Sequence, residues 1–220
     1  MNNRFTSSLL FSAGVISAGF VVAGCASQDR MTDQPGSIAS AVEFETTAGT
    51  IRVELNGAAA PVTVRNFLSR VQAGQYDGTI FHRVVPGFVV QGGGWTIDLK
   101  ERAKQDAAAG RPDVPIVNEW KSGLKNLRGT IAMAREEAPD SATREFYINL
   151  SDNARLDMAR PNTGNAGYCA FGRVVSGMDV VDQIAAGKTE SRTIEGVTDG
   201  SMNNVPLKPV IITKARIVPR

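Results

Sequence analysis

An arginine and a glutamine, Arg83 and Gln91, interrupt the otherwise apolar run Phe81-His82-Arg83-Val84-Val85-Pro86-Gly87-Phe88-Val89-Val90-Gln91-Gly92-Gly93. Polar groups in such a setting need partners, because burying them unpaired costs on the order of several kcal/mol. A guanidinium never loses its proton near neutral pH, so it donates hydrogen bonds and does not attack as a nucleophile. Held by a glutamine at the wall of an apolar pocket, Arg83 is equipped to polarise a neutral acceptor on a greasy ligand. Hydrolytic machinery is harder to assemble. His82 is the one histidine, and on a strand it points away from the face that carries Arg83. It reads as a packed, satisfied side chain in preference to a base. Gly92-Gly93-Gly94 lacks the lysine of a phosphate loop. With Cys25 and Cys169 as the two cysteines, no zinc site of His and Cys can be built. The acidic residues are scattered, and neither a metal nor an organic cofactor is implied.

The elements that must carry this pair follow from periodicity. Val42, Phe44 and Thr46 alternate with Glu43 and Glu45, Ala48-Gly49 turns, and Ile51, Val53 and Leu55 alternate with Arg52 and Glu54. That is a half-buried antiparallel hairpin. Pro61 suits a first helical turn; Val64, Phe67, Leu68 and Val71 share one helical face, and Gly74 ends it. Two strands flank Pro86-Gly87. Strands are also expected over 129–133, 146–149, 168–175 and 210–218, and a second helix over 178–186. The segment 95–115 is a charged, alanine-rich excursion with room for a helical turn or two. Many strands with two helices suggest an antiparallel barrel capped by helices.

The 220 residues, 42% hydrophobic and 21% charged, suffice for one domain with a full core. A formal charge of +2 and the absence of a basic run argue against nucleic acid as the main partner. The expected state is a monomer.

The amino terminus reads as an address. Arg4 precedes an apolar run from Leu9 to Val22, which is of signal-peptide length. Val22-Ala23-Gly24-Cys25 resembles the lipobox of bacterial lipoproteins. The expected division is a signal peptide over 1–24, a flexible tether from lipidated Cys25 over 25–40, and a folded domain over 41–220. A flexible tether of this length reaches on the order of 20 Å. Acyl chains on Cys25 would hold the protein on a bilayer, facing the periplasm or the exterior. Ala26 and Ser27 stand where an aspartate would direct inner-membrane retention, so the outer membrane is the expected destination if the host has one. Cys169, on a strand, reads as a small core residue.

Five segments in order resemble the cyclophilins, the peptidyl-prolyl cis-trans isomerases, and in particular their bacterial branch. They are the opening run; Asn118-Glu119 with Gly123-Leu124-Lys125-Asn126; Gly129-Thr130-Ile131-Ala132-Met133-Ala134-Arg135; Asp140-Ser141-Ala142-Thr143 with Phe146-Tyr147-Ile148-Asn149; and Leu156-Asp157 with Phe171-Gly172-Arg173-Val174-Val175. The resemblance implies a mainly β fold, a closed eight-stranded antiparallel barrel capped by two α-helices. It also implies an enzyme that isomerises X-Pro bonds in exported or envelope proteins, with a proline-segment-binding chaperone of weak turnover as the alternative. By position it makes Arg83 the catalytic arginine and Gln91 its support. Phe88, Val89, Tyr147, Leu156 and Tyr168 build the proline pocket, and Ala134 and Arg135 lie along the substrate backbone. Val89 stands where relatives commonly carry methionine and Tyr147 where they more often carry phenylalanine, and two further departures bear on the chemistry. Glu145, counted with the substrate-binding residues, replaces a glutamine and either pairs with Arg83, diverting it from substrate, or sits in solvent. Arg155 replaces a large aromatic and reads as a solvated loop cation.

Overall fold

In a computed structural model that describes residues 40–194 and 201–219, the chain opens with the expected hairpin. β1 (Ala41–Thr46) and β2 (Gly49–Leu55) pair antiparallel with Phe44 opposite Ile51. α1 (Pro61–Gln72) follows and buries Val64, Phe67 and Val71. No side chain of its own caps α1. Instead Glu119 accepts from the Val62 and Thr63 amides at 3.1 and 2.8 Å, placing a carboxylate on the positive end of the helix.

β3 (Arg83–Val85) and β4 (Val89–Gly92) flank the Pro86-Gly87 turn, where Gly87 takes a φ of +72°. The excursion contains α2 (Arg102–Ala108); then come β5 (Thr130–Met133), β6 (Phe146–Asn149), β7 (Ala170–Ser176) and α3 (Met178–Ala185). A polar hairpin of β8 (Thr189–Thr193) and β9 (Ser201–Pro206) precedes the last strand, β10 (Ile212–Val218). Residues 1–39, with the expected signal peptide, Cys25 and nearly all of the tether, lie outside the described residues. Among the described residues no helix is long and apolar enough to cross a membrane.

The eight-stranded sheet runs β10-β1-β2-β7-β5-β6-β4-β3, and it curls without closing. Its edges, β3 and β10, stand 14 Å apart, and three helices cap it, so the expectation of a closed barrel with two helices is corrected on both counts. The physical reason is local. β3 has three residues, and the chain before it leaves the ladder. Across the gap, residues 78–81 exchange only isolated backbone bonds with 210–212, such as Gly78 to Ile212 at 2.8 Å and Phe81 to Val210 at 3.1 Å. The third helix, α2, is short and mostly exposed. It is docked through Asp106 rather than an apolar stripe, so periodicity does not reveal it.

The concave side holds the main core, in which Phe44, Phe67, Tyr76, Phe81, Phe146 and Phe171 make edge-on and stacked contacts. Cys169 packs there as expected, 3% exposed, with burial pushing its thiol up to about 11. Beside this core lies a buried ionic cluster. Arg144 contacts Asp106 at 2.9 Å and Asp113 at 2.6 Å, and Arg70 contacts Asp113 at 2.7 Å, fastening the excursion to α1 and to the start of β6.

Candidate active site

Strand alternation gives the sheet a second, outward apolar face. Val90, Ile131, Phe146 and Ile148 point into the main core, while Val89, Ala132 and Tyr147 point outward and pack with Leu156 and Ala170. This explains why all four residues of β6 are buried: both faces are covered. Register then aligns a row across four strands. Arg83 lies opposite Gln91, Gln91 opposite Tyr147, and Tyr147 opposite Ala132. A cavity of about 240 Å³ opens over this row, lined by Arg83, Phe88, Val89, Gln91, Ala134, Arg135, Tyr147, Leu156 and Tyr168. Nine of the ten residues singled out for catalysis and substrate binding thus meet in one hollow.

Glu145, the tenth, sits beside it and lines an adjoining cavity that shares Gln91, Ala134 and Arg135. Its carboxylate does not reach Arg83: among the described residues no ion pair joins them. Gln91 Nε2 donates to Glu145 Oε2 at 2.7 Å, and Arg83 Nη1 donates to Gln91 Oε1 at 3.2 Å. On its far side Glu145 meets His82 Nε2 at 3.3 Å and accepts from the Trp95 indole. Burial by itself pushes the Glu145 carboxyl up. Attraction to His82 and hydrogen bonds from His82, Gln91 and Trp95 outweigh that and hold it below the usual carboxylate value. Gly94 makes the room: a Cβ there would collide with Glu145 Oε1 and lie 2.6 Å from its Cδ. Glu145 therefore neither pairs with Arg83 nor sits free in solvent. His82, expected to be merely packed, is 3% exposed, bonds through Nε2, and leaves Nδ1 without a partner.

The cyclophilin-type peptidyl-prolyl cis-trans isomerase/CLD family model matches residues 41–217. The chain is a cyclophilin. It is 46% identical over 177 residues to peptidyl-prolyl cis-trans isomerase A of Dickeya dadantii, covering 80% of this chain and 84% of that one. It is 43% identical over 176 residues to peptidyl-prolyl cis-trans isomerase B of Escherichia coli, covering 80% and 98%. Among solved structures, a cyclophilin-type isomerase of Cryptosporidium parvum superposes with a TM-score of 0.62, covering 82% of this chain and 98% of that one. At 22% identity that match shows a shared fold. The protein is a peptidyl-prolyl cis-trans isomerase, and by accelerating X-Pro isomerisation it assists folding.

In this cyclophilin, several residues that the sequence left without a role support the site. Asn126, fully buried, accepts from the Tyr147 hydroxyl at 2.8 Å and donates to Asp157 at 2.8 Å and to the Tyr168 carbonyl at 3.1 Å. It ties three pocket segments together, and its place in the Gly123-Leu124-Lys125-Asn126 segment was the available signal. Burial also pushes the Tyr147 phenol well above its ordinary range, so it stays neutral and donates. The Arg135 guanidinium donates to the carbonyls of Thr163, Ala166 and Gly167 at 2.8–3.3 Å and stacks 4.5 Å over Tyr168, clasping the polar insertion 158–167 against the site. Its backbone amide and carbonyl make no hydrogen bond among the described residues. Arg155 is exposed and outside the cavity.

Proposed function

We propose that Arg83 is the catalytic group of this isomerase and that the cavity beside it grips the proline ring. Rotation about a peptide bond meets a barrier of about 18–20 kcal/mol because the nitrogen lone pair is delocalised into the carbonyl. Uncatalysed X-Pro exchange takes on the order of tens to hundreds of seconds. No bond to a nucleophile is needed. As the amide twists, the prolyl nitrogen becomes pyramidal and basic, and a donor aimed at it stabilises the twisted state more than the planar one. Arg83 donates there while Gln91 holds it. Phe88, Val89, Tyr147, Leu156 and Tyr168 fix the ring, and the unpaired backbone groups of Arg135, beside Ala134, pair with the peptide. A barrier lowered by about 7 kcal/mol corresponds to roughly 10⁵-fold acceleration.

The observation that carries this reading is the guanidinium at the rim of the apolar hollow, with Gln91 Oε1 its one hydrogen-bond acceptor among the described residues. In a proline-isomerisation assay on the soluble domain, Arg83→Ala should lower kcat about 10²–10³-fold, the cost of losing one transition-state donor. An Arg83→Ala variant as fast as the wild type would remove Arg83 from the mechanism.

The enzyme is further read as an envelope protein, with signal peptide 1–24, a lipid anchor on Cys25, tether 25–40 and catalytic domain 41–220. The family match begins at residue 41, so the first forty residues lie outside it, which agrees with this division. Proline-containing segments of exported proteins are the substrates this location would supply. Mass spectrometry should find acyl chains on Cys25, and Cys25→Ser should move the protein from the membrane pellet to the soluble fraction.

A further inference from the structure

The amide of Gln91 stands between two groups of opposite and fixed hydrogen-bonding character. Arg83 is donor-only, and its Nη1 lies 3.2 Å from Gln91 Oε1. Ionised Glu145 is acceptor-only, and its Oε2 lies 2.7 Å from Gln91 Nε2. Turning the amide over would set NH₂ against guanidinium and carbonyl against carboxylate, losing both bonds and adding two repulsions. Glu145 is itself held. His82 and Trp95 donate to it from behind, and Gly94 leaves it space that any side chain would fill. With Nε2 turned to Glu145, His82 keeps a buried Nδ1 that has no partner among the described residues. That expenditure is intelligible if the position of the carboxylate matters.

We propose that Glu145 is a positioning residue for isomerisation: its acceptor-only carboxylate, backed by His82 and Trp95, locks the Gln91 amide so that its oxygen faces and aims Arg83. A glutamine at 145 carries both a donor and an acceptor, so it permits either orientation of Gln91 and loosens the guanidinium. This inference rests on the assignment of Arg83 as catalytic donor.

The test is a double-mutant cycle on kcat and KM with an X-Pro test peptide, joined to NMR of the Gln91 side-chain amide. Glu145→Met, of similar length and without hydrogen bonds, should lower kcat about tenfold, as expected for one charge-assisted hydrogen bond, with KM nearly constant. Glu145→Gln should lose about threefold, between the two. Because Glu145 acts through Gln91, Glu145→Met should add nothing in a Gln91→Ala background. One Gln91 NH₂ proton should resonate downfield in the wild type and move upfield in Glu145→Met. Additive losses, or an unchanged Gln91 amide signal in Glu145→Met, overturn the relay. Arg83→Ala in the same series separates the two ideas: if it is as active as the wild type, the reading of Arg83 fails first, whereas an inactive Arg83→Ala beside a fully active Glu145→Met sinks the positioning role alone.

Discussion

Arg144 and Glu145 are consecutive residues at the entrance to β6, yet they begin two different kinds of polar network. Arg144 faces inward and ends among carboxylates: Asp106 and Asp113 hold it, and Arg70, Arg102 and Arg111 balance them in turn. Each carboxylate there meets at least two guanidinium groups and, although Arg144 Nη1 is buried without a partner among the described residues, both carboxylates are spent within the cluster. Its product is geometry, since it pins the 95–115 excursion to α1. Glu145 faces the other way, and its chain through Gln91 stops at a guanidinium with donors to spare. A closed network fixes a shape, and an open one presents a group. Alternation along a single strand entrance separates the two.

The largest way to break this comparison is to open the closed network. Arg144→Met removes the guanidinium that bridges Asp106 and Asp113, leaving Asp113 to Arg70 and Asp106 to Arg102 and Arg111, in a site where Arg144 is 3% exposed. Removing one partner of a buried pair costs about 3–5 kcal/mol, so the urea midpoint should fall by much more than kcat does. A variant that loses activity while keeping its midpoint would contradict the division. Acid should act on the same cluster. Burial pushes the Asp113 carboxyl up, but hydrogen bonds and attraction from Arg144 and Arg70 hold it below its ordinary value. A depressed folded-state pKa contributes stability above the unfolded value of about 3.9 and loses it as pH falls through the folded one. Stability should therefore drop below about pH 4, and less steeply in Asp113→Asn. Calorimetry across pH 2–6 (roughly the span of the carboxylates) reads this directly.

Smaller effects sharpen the open network. Gly94→Ala pushes on Glu145 without changing its chemistry, and kcat should fall about three- to tenfold, as for a misaimed catalytic group. An unaltered kcat would mean that the carboxylate tolerates displacement. Tyr147→Phe removes one buried donor to Asn126, whose amide oxygen keeps its bond from Asn149. The expected loss is about 1 kcal/mol of stability in chemical denaturation. A loss several times larger would make the tyrosine part of a cooperative network.

Much of this was legible in the chain. Arg83 and Gln91 meet because the three residues of the Pro86-Gly87-Phe88 loop close a hairpin whose register places them opposite each other, and that spacing is written in the sequence. The strands and the helices over 61–72 and 178–185 followed from apolar period. The β8–β9 hairpin did not, because Thr-Glu-Ser-Arg-Thr and Ser-Met-Asn-Asn-Val-Pro show no apolar alternation. It is anchored through Met202 and neighbouring Ile194, which pack with Ile80 and Trp95. The open edge depends on how far β3 stays in register, which local pattern does not encode. Nor could the sequence say which way Glu145 turns. Its partners come from 82, 91 and 95, and only the folded sheet brings them to one carboxylate.

Cys169 supplies a built-in clock. With Cys25 the one other cysteine in the chain, a lipid anchor there would leave a single thiol. Buried between α1 and β5, bonded to Thr63 at 3.5 Å and hard to ionise, that thiol is shielded from oxidants and stray disulfide partners while the domain is folded. A maleimide added to living cells would therefore count openings of the domain and ignore its resting state. The isomerase would report its own stability in the compartment where it works.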